Sequence, residues 1–200
     1  MGGTSMPKKY YLLFSTIILI GIGLGILYLE FWRDAGVGLP EDVTMTTAYG
    51  EEYSFDNLEP KVRIIEFFYA KCPDICPLTT QRMMHLKQMF EDEGVFGDQV
   101  EFISITIDPD NDTEEELQKY MQRYGIEKSD SWVFLRGTLE DTRKLAEPFR
   151  FQFDDRGTDF IVHTSYSYLL DENNELIEKI PMGEAFDKER VFNRIMRMVQ

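Results

Sequence analysis

Two hundred residues, 43% hydrophobic and 14% aromatic, supply the core of one ordinary domain plus a modest extra segment, which excludes a multi-domain enzyme and a disordered chain. The 36 acidic residues outnumber the 21 basic ones for a net charge of −15, a balance that repels a phosphate backbone and excludes nucleic acid as a natural partner. What remains for that charge is a solvated surface or an acidic face that docks a basic protein.

In chain order, the first element is the uncharged run at 10–29 (YYLLFSTIILIGIGLGILYL), long enough as a helix to span a ~30 Å hydrocarbon core. Lys8 and Lys9 precede it, while Glu30 and Asp34 bracket Arg33 after it, so the positive-inside bias predicts a cytoplasmic N-terminus and an extracytoplasmic remainder. Tyr10, Tyr11, Tyr28, Phe31 and Trp32 fall where interfacial aromatic rings belong. The run exceeds the ~7–15 residues of a signal-peptide core and no small-x-small site follows it, which favours a retained single-pass anchor. There is no cysteine at its end for lipid attachment, and Met6 stands where N-myristoylation needs a hydroxyl residue. The absence of arginine before Arg33 argues against a mitochondrial presequence and for a bacterial plasma membrane. The expected plan is a cytoplasmic tail at 1–9, the anchor at 10–32, a linker at 33–48 and a folded domain at 49–200.

Within that domain, 62–69 (VRIIEFFY) reads as a central strand buried on both faces, with Glu66 expected at an exposed pleat position. A helix is expected from Pro77, with Met83, Leu86 and Phe90 at helical spacing, until Gly94. A second buried strand follows at 100–107, then a helix at 113–124 with Thr113 as its cap and Gly125 as its stop. A third strand at 132–135, a helix at 139–149, a hairpin of 165–170 with 176–180, and a last helix at 186–199 complete the pattern. Parallel strands first and an antiparallel hairpin last predict an α/β fold with a mixed sheet flanked by helices.

The only cysteines, Cys72 and Cys76, lie in KCPDICP directly after the first central strand, where α/β sheets collect their sites. Four residues apart beside a first helical turn, both sulfurs face one way, so they can share a metal or join as a disulfide. The helix N-terminus favours thiolate, and Pro73 and Pro77 stiffen the turn. A purely structural bridge is the weaker reading, because closing so short a loop removes little chain entropy. His163, in FIVHTSYSYLL at the start of the hairpin strand, can reach the cysteine turn in such a fold, and two thiolates with one imidazole are a ligand set that suits copper. His85 is expected on a helix surface. Met182, Met196 and Met198 are expected in the core, Asp112 with Thr113 as a helix cap, and Asp108 before Pro109 as a strand end.

Residues 50–200 resemble the Sco (SenC) family of membrane-anchored, thioredoxin-like copper proteins that help assemble the binuclear copper site of cytochrome c oxidase. FYAKCPDICP at 68–77, IDPDNDT at 107–113 and the separation of His163 from the cysteines carry the resemblance. It implies a thioredoxin-like fold and one copper ion, Cu(I) or Cu(II), held by Cys72, Cys76 and His163. The implied partners are the copper-receiving oxidase subunit and other copper chaperones. It implies also that His163 and Thr164 occupy the place of the cis-proline of ordinary thioredoxins, which this chain lacks, and that the acidic stretch 151–160 is a gate over the metal. The sequence departs from the family pattern at Glu114, where proline is frequent, and at Glu66, where a neutral residue is usual. Two rival readings stand beside the chaperone: a tethered thiol-disulfide oxidoreductase or thiol peroxidase acting through Cys72, and a redox or copper sensor with an acidic docking face.

Overall fold

The computed structural model describes residues 8–31, 38–40, 42–56, 58–154 and 160–199, in two separate compact units. The first contains the helix α1 (Lys8–Phe31), apolar all round between Lys9 and Glu30. Its stretch Lys9–Tyr28 is long and apolar enough to cross a membrane. The expected tail at 1–7 and the linker residues 32–37 lie outside the described residues.

The second unit is a layered α/β domain. Its strands are β1 (Thr44–Thr47), β2 (Glu52–Ser54), β3 (Val62–Phe68), β4 (Val100–Thr106), β5 (Trp132–Arg136), β6 (Phe153–Asp154), β7 (Val162–His163), β8 (Tyr166–Leu170) and β9 (Leu176–Pro181). Its helices are α2 (Ile75–Asp92), α3 (Glu114–Tyr124), α4 (Leu139–Ala146) and α5 (Lys188–Val199). Seven strands form one sheet in the order β2-β1-β5-β4-β3-β8-β9, with β3, β4 and β5 parallel and β8 and β9 antiparallel, and β6 pairs with β7 in a separate ribbon. This is the mixed sheet that the sequence pattern predicts, and the thioredoxin-like fold that the resemblance implies.

Every residue of β3 is buried, as a strand covered on both faces requires. On one face Phe68 meets Tyr120 of α3, and Phe90 of α2 packs between Phe102 and Phe192 of α5. On the other, Phe67 meets Tyr168 and the two phenylalanines that follow α4, Phe149 and Phe151. Helix α3 begins and ends where its sequence says: Thr113 Oγ1 accepts from Glu116 N–H, three acids fill the first turn, and Gly125 closes it with φ of 70°.

Five expectations need correction. Residues 44–47, read as linker, form β1, which pairs with β2 and β5, so the domain begins before residue 49. Helix α2 starts at Ile75 rather than after Pro77; proline is tolerated in a first turn because those N–H groups have no intrahelical acceptor. Helix α4 stops at Ala146 and α5 starts at Lys188, the residues between 181 and 188 making a short 3-10 turn instead. Glu66 is wholly buried, not exposed, because β3 has sheet neighbours on both sides and helices above it.

Candidate metal centre

The chain leaves β3 at Phe68, turns through Tyr69 to Asp74, and enters α2 at Ile75, which sets Cys72 and Cys76 at the carboxyl end of the central strand. Cys72 N–H bonds back to Tyr69 carbonyl at 3.1 Å, closing the turn. The cap residue Asp74 makes no side-chain capping bond, and Cys76 N–H of the first helical turn points instead at Cys72 Sγ, 3.5 Å away. The sulfur of Cys72 therefore takes the acceptor role at the positive end of a helix. Both cysteines are free and buried, Cys72 at 7% exposure and Cys76 at 0%.

A second anchor comes from the IDPDNDT segment. Asp112 is buried and its Oδ2 accepts from Ala70 N–H in the cysteine turn at 3.0 Å and from Thr106 Oγ1 at 2.5 Å. Burial pushes its carboxyl up to about 6 against the pull of those two bonds. Asp112 is thus no helix cap, since Thr113 performs that alone; it fastens the cysteine turn to the end of β4. Asp108, expected as the strand end, lies two residues past the end of β4 and braces the same loop by accepting from Asn111 Nδ2 at 2.9 Å.

His163 arrives from the β6–β7 ribbon, opposite Phe153. Its Nδ1 lies 2.8 Å from Thr164 carbonyl, and since a carbonyl only accepts, Nδ1 donates to it and the ring is held in orientation. Thr164 is tied to Gln152 by N–H to carbonyl at 2.8 Å and by its hydroxyl to Gln152 N–H at 3.0 Å. The imidazole lies against Phe151, 5.8 Å between centroids, and meets the edge of Tyr69 at 6.0 Å.

The cysteine turn and the β6–β7 ribbon together bring one donor atom each from Cys72, Cys76 and His163 to within 4.8 Å of one another. Three N and S donors on a single ion stand roughly 4 Å apart, so the cluster fits one metal after slight contraction. Electrostatics prepares Cys72 as the anion: the Cys76 thiol donates to it, and with His163 and the backbone N–H groups this holds Cys72 down at about 4 despite burial. Cys76 is driven far up, because its proton is engaged in that bond and its site is dry. Burial, together with the Cys72 charge, raises the Tyr69 hydroxyl to about 12 and keeps it protonated.

His85 is exposed on α2, while Met182 is buried and Met196 and Met198 pack against the core, as expected. Of the expected gate, 155–159 lie outside the described residues. Phe151 is buried at the base of the site, and Phe160 and Val162 are exposed apolar residues beside it. A cleft of about 1030 Å³, lined by Arg143, Arg150, Phe151, Phe153 and Val162 among others, opens onto His163. No local pattern marks Tyr69 and Phe151 as supports of the site; for Asp112 the signal was present in IDPDNDT but fitted a cap equally well.

Comparison with known proteins agrees with this fold. The family model described as SCO1/SenC matches residues 39–200. An SCO2-like protein of Rickettsia typhi is 27% identical over 135 residues, which cover 64% of this chain and 63% of that protein, so the match spans under two thirds of its length. Among solved structures, a SCO1/SenC family lipoprotein of Bacillus anthracis superposes with a TM-score of 0.72 at 25% identity, over 82% of this chain and 96% of that one. Yeast Sco1 with copper bound superposes with a TM-score of 0.66 at 24% identity, over 81% of this chain and 88% of that one.

Proposed function

The chain belongs to the SCO1/SenC family, and on that premise we propose that it is a membrane-anchored copper metallochaperone whose single copper ion is held by Cys72, Cys76 and His163. The observation that carries this reading is the convergence of the three donor atoms within 4.8 Å, with Cys72 as thiolate. Copper is cargo here, not a resident cofactor. Soft thiolates suit Cu(I), the imidazole adds a ligand that Cu(II) accepts, and both oxidation states fit one donor set. A copper-bound relative of the same fold supports the choice of metal.

The recipient is the copper-accepting subunit of cytochrome c oxidase, with other copper chaperones as suppliers. The anchor α1 crosses the bacterial plasma membrane once with its N-terminus in the cytoplasm, holding the domain outside, beside the subunit it serves. The cleft next to His163 leaves the metal within reach of an incoming segment. A second activity has its own support: a low-lying thiolate at a helix N-terminus beside a protonated partner thiol is also the arrangement that reduces disulfides. The chain then delivers copper, reduces the target's cysteines so that they accept it, or does both.

Anaerobic titration of the reduced full-length chain in detergent tests the reading. One equivalent of copper binds, Cys72→Ser or Cys76→Ser abolishes binding, and His163→Ala weakens Cu(II) retention while Cys72 and Cys76 still oxidise to a disulfide. Absence of stoichiometric binding by the unaltered chain overturns the chaperone reading.

A further inference from the structure

The chain leaves α4 through a turn that glycine normally closes. Arg150 N–H bonds Glu147 carbonyl at 2.9 Å and Phe151 N–H bonds Ala146 carbonyl at 3.1 Å, the two bonds of a Schellman cap. The residue that takes the left-handed conformation in this cap is Arg150, with φ of 54°. Among the described residues the only other positive φ outside glycine belongs to Asn174, a residue type that visits that region readily. An arginine gains nothing from its backbone there, so it occupies the position at a conformational cost that glycine would remove.

What the arginine adds is a guanidinium beside the metal centre. Arg150 lines the cleft of about 1030 Å³ that opens onto His163, and it directly precedes Phe151, whose ring lies against the imidazole. Arg143 of α4 lines the same cleft, its guanidinium over the Phe153 ring at 4.6 Å from the centroid. Both arginines are exposed, and neither makes an ion pair with a described residue, although Glu140 and Glu147 stand on the same wall. Lys144, the third base of that wall, is paired with Asp42. Val162, 72% exposed, gives the cleft an apolar edge. In a chain with 36 acidic and 21 basic residues, two forks of N–H donors thus stand ready on aromatic and aliphatic surface at the mouth of the site. The volume is at the upper limit for a small molecule and suits a length of peptide, and a guanidinium fork takes a carboxylate through two parallel bonds.

We propose that this cleft docks an acidic segment of the copper-receiving protein, its carboxylates held by Arg143 and Arg150 and its apolar side chains by Phe153 and Val162. This rests on the delivery half of the functional reading above. Pairing at the two arginines lays the segment beside the ribbon that carries His163, so the recipient's own metal ligands arrive next to the donor set. Charge pairs at an exposed rim set encounter and register rather than a tight complex, which suits a delivery that ends in release.

Two fluorescein-labelled peptides of about twelve residues test this by fluorescence anisotropy on the reduced, copper-free full-length chain in detergent, with empty micelles as the blank. One carries glutamates spaced by glycine and serine around a single leucine, and the other has glutamine at every glutamate. The glutamate peptide binds at least about fourfold more tightly at low salt, and the preference shrinks as salt is added. Arg150→Gly weakens it about two- to fivefold, the range of one exposed charge pair, and adding Arg143→Gln removes the preference. Arg150→Gly does not lower the unfolding midpoint, because glycine adopts φ of 54° freely, so its loss of binding is not a loss of fold. Lys119→Gln takes the same charge from α3, outside the cleft, and leaves binding unchanged. Equal affinity for the two peptides, or a preference that Lys119→Gln reduces as much as Arg150→Gly does, overturns the proposal. If Arg150→Gly lowers the midpoint, Arg143→Gln alone decides, and an unmoved affinity overturns the proposal. The peptides bind without copper, so a failure of the cleft and a failure of the copper titration are read separately.

Discussion

At the scale of single residues, the centre is held by groups that bind no metal. Asp112 accepts from the backbone of the cysteine turn, the Thr164 carbonyl orients the His163 ring through its Nδ1, and Phe151 supports that ring. Removing Asp112 as alanine leaves Ala70 N–H and Thr106 Oγ1 without their shared acceptor, which costs on the order of 1–3 kcal/mol by denaturant unfolding. The same variant binds copper more weakly, because the Cys72 turn is no longer fastened to β4; unchanged stability and affinity would remove Asp112 from this role. The cysteines and His163 were legible in the sequence because their residue types carry chemistry at any position. Asp112 and Glu66 were misread because an Asp before a Thr is a common cap, and because a lone acid in an apolar strand is ordinarily on its solvated face.

At the scale of elements, β3 unites the core and the chemistry. Glu66 titrates near 7 in the folded chain against an ordinary value of 4.5, so the folded state keeps a proton that the unfolded state surrenders between those values. That contribution to stability is complete below the ordinary value and is lost as pH rises through about 7. Glu66→Gln abolishes the loss, so its stability relative to the unaltered chain grows from small at about pH 5 to on the order of 3 kcal/mol at about pH 8. Guanidinium unfolding of both reduced chains across that range checks it; a constant difference would mean that Glu66 is ionised in the fold. The long elements were legible because β3, β4 and α3 carry clean periodicity and explicit caps. The β1–β2 hairpin was not: its strands TMTT and EYS are short and half polar, and only Met45 of β1 is buried. The register of β1 on β5 is a tertiary fact that no local pattern announces.

At the scale of the whole molecule, two units divide the chain between an apolar helix and the domain that carries the Cys72, Cys76 and His163 cluster. The domain's topology followed from the order of its patterns, since parallel strands need crossover helices and a final antiparallel pair needs only a turn. The site's assembly did not, because the β6–β7 ribbon that brings His163 to the cysteines has two-residue strands with no periodicity to read. A site built from a helix N-terminus, a loop after β4 and a distant ribbon is closed only by the fold, and the bound metal reports that closure directly. X-ray absorption on the anaerobically copper-loaded full-length chain measures the copper neighbours themselves. The account predicts two sulfur donors and one nitrogen donor, the nitrogen lost in His163→Ala and the sulfurs in the paired cysteine-to-serine variant. A first shell without sulfur, or one that His163→Ala leaves untouched, would contradict it.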